Sequence, residues 1–391
     1  MASLRWWRLL VLLGACSGWV APASGSAQEG LGDHPGLLWL AAQVSEERVA
    51  FPEAASLYER YVARCIELPL ADLAPDGPCA HIAFALERAF QLRRALGHVE
   101  EADADAVAYE LYFLYARPRA ALRIAYERVR LNLDAGRVEP ARAAVAAFEA
   151  RGGRGAPRGH GLVAAGLAAR LAALTGDRPA ATDAWRDLDR AFRLRHPLPG
   201  DEDLVPWIWV AREVAEARVQ AAEAHFARFQ RVRPPRSPRD DETVEGYVRR
   251  TLTPWLVRLR RKLLRARHAF EEVYELGSPA HSVVSAARIG ELYRHLGDLH
   301  GDLPLQGGFM SYVIREGEDR PGLDMAVSHL ETCIRWATTH AVAPRWAARC
   351  EEELAELSPS ASARLDRSVE GYGPFGALAG PTDGLGAPAM P

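Results

Sequence analysis

Five cysteines carry the most distinctive chemistry in this 391-residue chain. Cys16 ends the stretch Leu13-Gly14-Ala15-Cys16, which has the form of a bacterial lipobox. In that reading Cys16 is lipidated and becomes the first residue after cleavage. The other four fall into local pairs. Cys65 and Cys79 flank a loop holding Pro69, Pro75 and Pro78, and Cys333 and Cys350 lie almost symmetrically about a turn at His340 to Pro344. In an oxidising compartment both pairs become disulfides and lipidation takes the odd cysteine. The other reading is four buried free thiols packed as small hydrophobes.

Arg5 and Arg8 precede an apolar run from Leu9 to Leu13, followed by small residues, so residues 1–27 read as a signal peptide. Ala21-Pro22-Ala23 and Gly25-Ser26-Ala27 offer ordinary cleavage sites as the alternative to Cys16. The apolar run is shorter than the roughly 20 residues that a membrane span needs. Export across the inner membrane to the periplasm is expected, with an outer-membrane anchor where Cys16 is lipidated.

A second chemistry is positive charge. Between Trp255 and His268, Arg258, Arg261 and Arg265 share one helical face, flanked by Arg260, Lys262 and Arg267, with Leu256, Leu259, Leu263 and Phe270 opposite. Such a face suits anionic headgroups, phosphorylated glycan or an acidic protein. The simpler reading is a solvated face neutralised by Glu271, Glu272 and Glu275.

Other candidates weaken on spacing. His295 and His300 are five apart, so they do not share a helical face, and Gly297 is expected to end the helix between them; with Asp298 and Asp302 they read as capping and loop residues, not as metal ligands. The stretch from Gly152 to Gly159 lacks a preceding strand and a Gly-Lys-Ser/Thr ending, and reads as a linker. Asp201-Glu202-Asp203 and Asp240-Asp241-Glu242 lie beside prolines and read as helix caps. No Gly-x-Ser-x-Gly or His-Glu-x-x-His occurs. No catalytic, cofactor or metal residue is therefore assigned, and a non-enzymatic protein is expected. Trp207, Trp209 and Trp255 read as core. In the alternative, an envelope enzyme or glycan-binding module, Trp207 or Trp255 would line a pocket with Glu213 or Glu216.

The elements that must position these residues follow one pattern. Gly97, Gly136 and Gly176 are each followed five residues later by an alanine: Ala102, Ala141 and Ala181. Glycine ends a first helix and alanine lets the second approach it, a helical hairpin repeating about every 40 residues. Bulky residues follow on the same face, as Tyr109, Val145, Phe148, Trp185 and Leu188 do. No segment alternates as a strand would. The expected fold is all-α, an α-solenoid of stacked hairpins.

Its expected organisation is a signal peptide over 1–27, a spacer over 28–35, helical hairpins over 36–200, a further helical block over 201–359 and a disordered tail over 360–391. The first hairpin pairs Leu37–Arg48 with Pro52–Leu68, and the second places Phe84, Ala85, Ala89 and Leu92 on one face. Later helices are expected over Pro206–Val232, Thr253–Leu276, Pro279–Leu299, Gly322–Thr338 and Pro344–Leu357, with a short one at Met310–Arg315. With 49% apolar residues there is ample core, and a formal charge of -3 argues against nucleic-acid binding.

Ala222-Phe226-Phe229-Pro234 and Ala54-Tyr58-Tyr61 resemble the degenerate tetratricopeptide (TPR) pattern of small, large and large residues. Between Lys262 and Pro359, the order Lys262, Tyr274, Gly277, Arg288-Ile289-Gly290-Glu291-Leu292-Tyr293, Ala326, Cys333, Trp346, Cys350, Leu354 and Leu357-Ser358-Pro359 is similar to periplasmic TPR-like proteins of deltaproteobacteria. That group includes lipoproteins of the adventurous gliding-motility machinery, and Glu223-Ala224-His225-Phe226 looks similar too. The resemblance implies an envelope scaffold whose partners are envelope proteins, with no small-molecule substrate and no cofactor. Gln91, Arg94, Arg123 and Arg130, on the first helices of hairpins, are the expected groove residues.

Overall fold

The computed structural model describes residues 34–68, 77–151, 158–195, 205–239, 242–303 and 321–363. The expected signal peptide with Cys16, residues 152–157 of the expected linker, Asp201-Glu202-Asp203 and the stretch Met310–Arg315, where a short helix is expected, lie outside them. Among the described residues every regular element is helical. The chain divides into two compact units, 1–82 and 83–391.

The first unit holds α1 (Pro35–Glu47) and α2 (Phe51–Glu67). His34 caps α1 by accepting from the Gly36 amide, and Pro35 occupies the first turn, where a missing N–H costs nothing. The helix thus takes in the end of the expected spacer. Leu38, Ala42, Leu57, Tyr58, Tyr61 and Val62 are its buried seam. Trp39 lies against the edges of Tyr58 and Tyr61 and stacks on His81, 4.5 Å away.

The second unit begins with three hairpins: α3 (Ile82–Ala95) with α4 (Val99–Phe113), α5 (Pro118–Asp134) with α6 (Val138–Ala150), and α7 (Arg158–Leu174) with α8 (Arg178–Arg195). The turn glycines adopt φ of +76°, +70° and +82°, and no atom lies within 4 Å of where a Cβ would stand. Glycine is required there by backbone conformation, not by space. At each, the glycine amide bonds the carbonyl three residues back and the next amide bonds the one five back, which closes the helix end. Ala102, Ala141 and Ala181 are fully buried. Phe84 departs from the expected face and is exposed.

The α1–α2 turn uses the same two bonds, from Val49 to Glu46 and Ala50 to Ser45, and Ala54 follows five residues on, fully buried. Here a β-branched residue sits at φ 62°. Because Val49 is exposed, Val49→Gly relieves strain without opening a cavity. It is expected to stabilise the protein by about 1 kcal/mol, read as a higher denaturant midpoint; an unchanged or lower midpoint would show that the valine is not strained.

First helices of successive hairpins are joined by ion pairs. Arg94 of α3 meets Glu127 of α5 at 2.5 Å, Arg123 of α5 bonds Glu87 of α3, and Arg170 of α7 meets Asp134 of α5 at 2.5 Å. Next comes α9 (Trp207–Gln230), buried around most of its circumference between Trp209 and Val219 and packed on α7, α8, α11 and α12. A 4-residue helix, α10 (Val244–Tyr247), passes through a π turn at Val248–Leu252 into α11 (Thr253–Tyr274). The helical run thus starts earlier than the expected Thr253. Thr243 caps it by accepting from the Gly246 amide, and the widened turn precedes Pro254, which has no N–H to bond back. The helices α12 (Pro279–Gly301), α13 (Pro321–His340) and α14 (Pro344–Leu357) complete the unit.

One buried cluster runs from Ala125 in α5 through Val205 and Val214 to Cys333 and Leu354, so core continuity crosses the expected boundary at residue 200. A second gathers Phe226 and Phe229 with Trp255, Leu259, Phe270 and Leu292. The helical turn after Ser358 continues to residue 363, with Ala361 fully buried, so the fold runs past the expected start of the tail.

Candidate functional site

Two places concentrate chemistry in the second unit. The first is a buried polar cluster on α5, α7, α9 and α12. Spacing of three on α9 turns Glu213 and Glu216 inward, 1% and 8% exposed. Tyr126 donates its hydroxyl to Glu213 Oε1 at 2.9 Å. Glu216 holds His281 Nε2 at 3.1 Å and accepts from Gln220 at 2.8 Å, while Ser278 Oγ lies 2.7 Å from His281 Nδ1. Arg170 and Arg130 both face Asp134.

Burial works against a charge on Glu216, but the His281 bond and charge, with Arg170, hold its carboxyl down to about 2. Burial, then Glu213, pushes the Tyr126 hydroxyl up. Gly166 of α7 permits the close approach: a Cβ there would lie 2.5 Å from that of Glu213. Among the described residues, Glu213 Oε2 and Arg130 Nε and Nη1 have no hydrogen-bond partner.

Carboxylate, imidazole and phenol together suit proton transfer, yet the surroundings are those of a core. Trp209 stacks on Tyr126 at 4.6 Å, Trp207 tilts against Phe192, and Trp255 is buried with its indole N–H donated to the Arg233 carbonyl. Glu213, Glu216 and Trp255 are buried, which counts against the cleft that the alternative reading expects. Burial of Arg130 likewise removes it from the expected groove set. Gln91 is exposed, whereas Arg94 and Arg123 are spent on Glu127 and Glu87.

The second place is the outer face of α11. Leu259, Leu263, Ala266 and Phe270 bind it to the core, which turns Arg258, Arg260, Arg261, Lys262 and Arg265 to solvent. The expected neutralisers do not reach them. Glu271 bonds Arg267 at 2.6 Å, and Glu272 takes Arg193 and His268. Among the described residues, none of those five cations has an acidic partner within 4 Å. Exposed on the same face are Val257 and Leu264.

The remaining candidates are placed as follows. Cys65 is bonded to Cys79 and Cys333 to Cys350, with Cα separations of 5.5 and 6.5 Å. Gly297 does not end its helix. Helix α12 runs on to Gly301, and Gly297 instead lets α13 approach, since a Cβ would lie 3.0 Å from Leu323. His295 packs edge-on against Phe229, and burial lowers the values of His295 and His300. No group of three metal-ligating residues forms among the described residues. Glu242 accepts from Arg250 and caps nothing; the cap is Thr243.

Sequence reasoning missed His281, Arg170 and Tyr126. Their partners lie far along the chain, and no local spacing marks them. No helix of the described residues is long and apolar enough to cross a membrane. No protein-family profile matches the chain, and no curated protein matches it.

Proposed function

We propose that this protein is a non-catalytic scaffold or adaptor of the bacterial cell envelope, a TPR-like array that holds envelope proteins together. One observation carries the reading. Along α4, Val107 and Leu111 stand exposed at a four-residue step, with Leu111 63% exposed, and Tyr115 is exposed in the turn just beyond the helix. An apolar stripe left open on a hairpin helix is the form in which such folds receive a partner helix. The repeated turns and the ion pairs between first helices support a stacked array. Two disulfides and the N-terminal signal support an exported protein, with Cys16 as the lipid anchor and the outer membrane as its place. The resemblance of the Lys262–Pro359 region to gliding-motility lipoproteins makes a motility-type complex the leading setting.

The test is affinity capture from envelope extracts with the wild-type chain and with Val107→Ser/Leu111→Ser. The expected result is an envelope component enriched by the former and lost with the latter. Equal capture by both folded baits, or none by either, would refute the scaffold.

A further inference from the structure

The surface around α11 departs from the charge of the whole chain. From Arg228 to His268 the sequence has thirteen Lys and Arg against four Asp and Glu, in a protein of formal charge -3. The excess is also local in space. On α9, His225 lies near both Arg228 of its own helix and Arg265 of α11; burial, then these two charges, lowers its value. The positive field therefore spans two adjacent helices.

The pattern on α11 is specific. Val257 and Leu264, 53% and 49% exposed, are seven residues apart and so share one line along the helix. Arg261 stands between them on that crest. Arg258 and Arg265 lie to one side of it and Arg260 to the other. Two aliphatic side chains on one line, bordered by guanidinium groups with no acidic partner among the described residues, form the amphipathic pattern of a helix lying in a lipid interface, where aliphatics enter the acyl boundary and arginines meet phosphates. An acidic protein would satisfy the charges and leave Val257 and Leu264 without a role.

We propose that this face of α11, extended by Arg228, docks on an anionic phospholipid surface. The inference is independent of the scaffold reading, because it concerns the lipid that the protein rests on and not the proteins that it holds.

Co-sedimentation of the full-length chain with vesicles of phosphatidylcholine, and of phosphatidylcholine with about 30 mol% phosphatidylglycerol, isolates the charge-dependent part of binding. The N-terminal run, with Arg5 and Arg8, contributes equally to every variant, so the differences between variants report on α11. Wild type is expected to bind the anionic vesicles more tightly and to lose that increment at high salt. Each cation near the surface strengthens binding about five-fold, so Arg258→Gln/Arg261→Gln/Arg265→Gln is expected to weaken it about a hundred-fold. Leu264→Ser alone is expected to weaken it about ten-fold. The matched change Arg142→Gln/Arg186→Gln/Arg190→Gln removes equal charge elsewhere and is expected to have little effect.

All substitutions are at exposed positions, and circular dichroism checks that the fold persists. Equal binding to the two vesicles overturns the proposal, as does equal weakening by the two triple variants. So does a Leu264→Ser protein that binds as wild type, or tighter binding to poly-glutamate than to anionic vesicles, which would mark an acidic polypeptide as the occupant.

Discussion

Glu216→Gln is expected to cost about 3 kcal/mol of stability at neutral pH and to remove a pH dependence that the wild-type protein shows in acid. The folded protein holds this carboxyl at about 2, against an ordinary 4.5. A carboxyl so depressed binds a proton more readily in the unfolded chain. Its contribution is complete above about pH 5.5, a unit above the ordinary value, and is lost as pH falls through about 2. The glutamine retains the shape and the contact with Gln220 but leaves His281 without a facing carboxylate, while Arg170 keeps Asp134. Burial shifts two other carboxyls, Glu110 and Glu353, upward, which gives them the opposite pH dependence. The informative quantity is therefore the difference between variant and wild type in denaturant unfolding. It should be constant above about pH 5.5 and shrink steadily in acid. Parallel curves down to pH 2 would remove Glu216 as the source.

The same cluster shows where sequence reading stops. The hairpins were legible because their signals are local: a left-handed glycine, and five residues later a side chain small enough for contact. Gly97, Gly136 and Gly176 have this signature, and Gly277 nearly so, with φ 66° and Ser282 buried five residues on. Gly297 lacks it, with Asp302 at the matching place, and it proves to be a packing glycine inside a helix. The companion alone is not sufficient, since Gly36 and Gly159 lie inside helices and are followed five residues on by Ala41 and Ala164.

Nothing comparable announces the buried charges. Tyr126 and Glu213 are 87 residues apart, and Glu216 and His281 are 65 apart. Arg130 sits on a helix where Val129, Leu131, Asn132 and Leu133 are all buried as well. A helix covered on several sides has no polar face, so a periodicity argument misassigns its charges. The basic face of α11 was visible for the opposite reason: its cations lie on consecutive turns. What the sequence left open there was the fate of Glu271 and Glu272, which the fold assigns to Arg267, Arg193 and His268.

Arg288 lies in the stretch on which the family resemblance rests, and replacing it is expected to have an effect as large as that of Glu216. Its Nε donates to Glu223 of α9 and its Nη1 to Glu291 of α12, both at 2.7 Å. The guanidinium is held between the Phe226 and Trp346 rings, 4.7 and 4.9 Å from their centres, so it joins α9, α12 and α14. Burial opposes its charge, but Glu291 and Glu223 keep it protonated. Arg288→Ala strands two largely buried carboxylates and opens a gap between two rings, an expected loss of about 4 kcal/mol. Arg349, 2.8 Å from Glu291, compensates only one of them. Arg288→Lys is expected to recover less than half of that loss, because an ammonium has neither the plane to lie between two rings nor the fork to hold two carboxylates. If the pairing causes the loss, Arg288→Met combined with Glu223→Gln and Glu291→Gln should be more stable than Arg288→Met alone, since no stranded charge remains. Denaturant unfolding of the series distinguishes these outcomes. A lysine variant as stable as wild type would show that charge alone suffices, and that the stacking of Arg288 between Phe226 and Trp346 contributes nothing to holding the three helices.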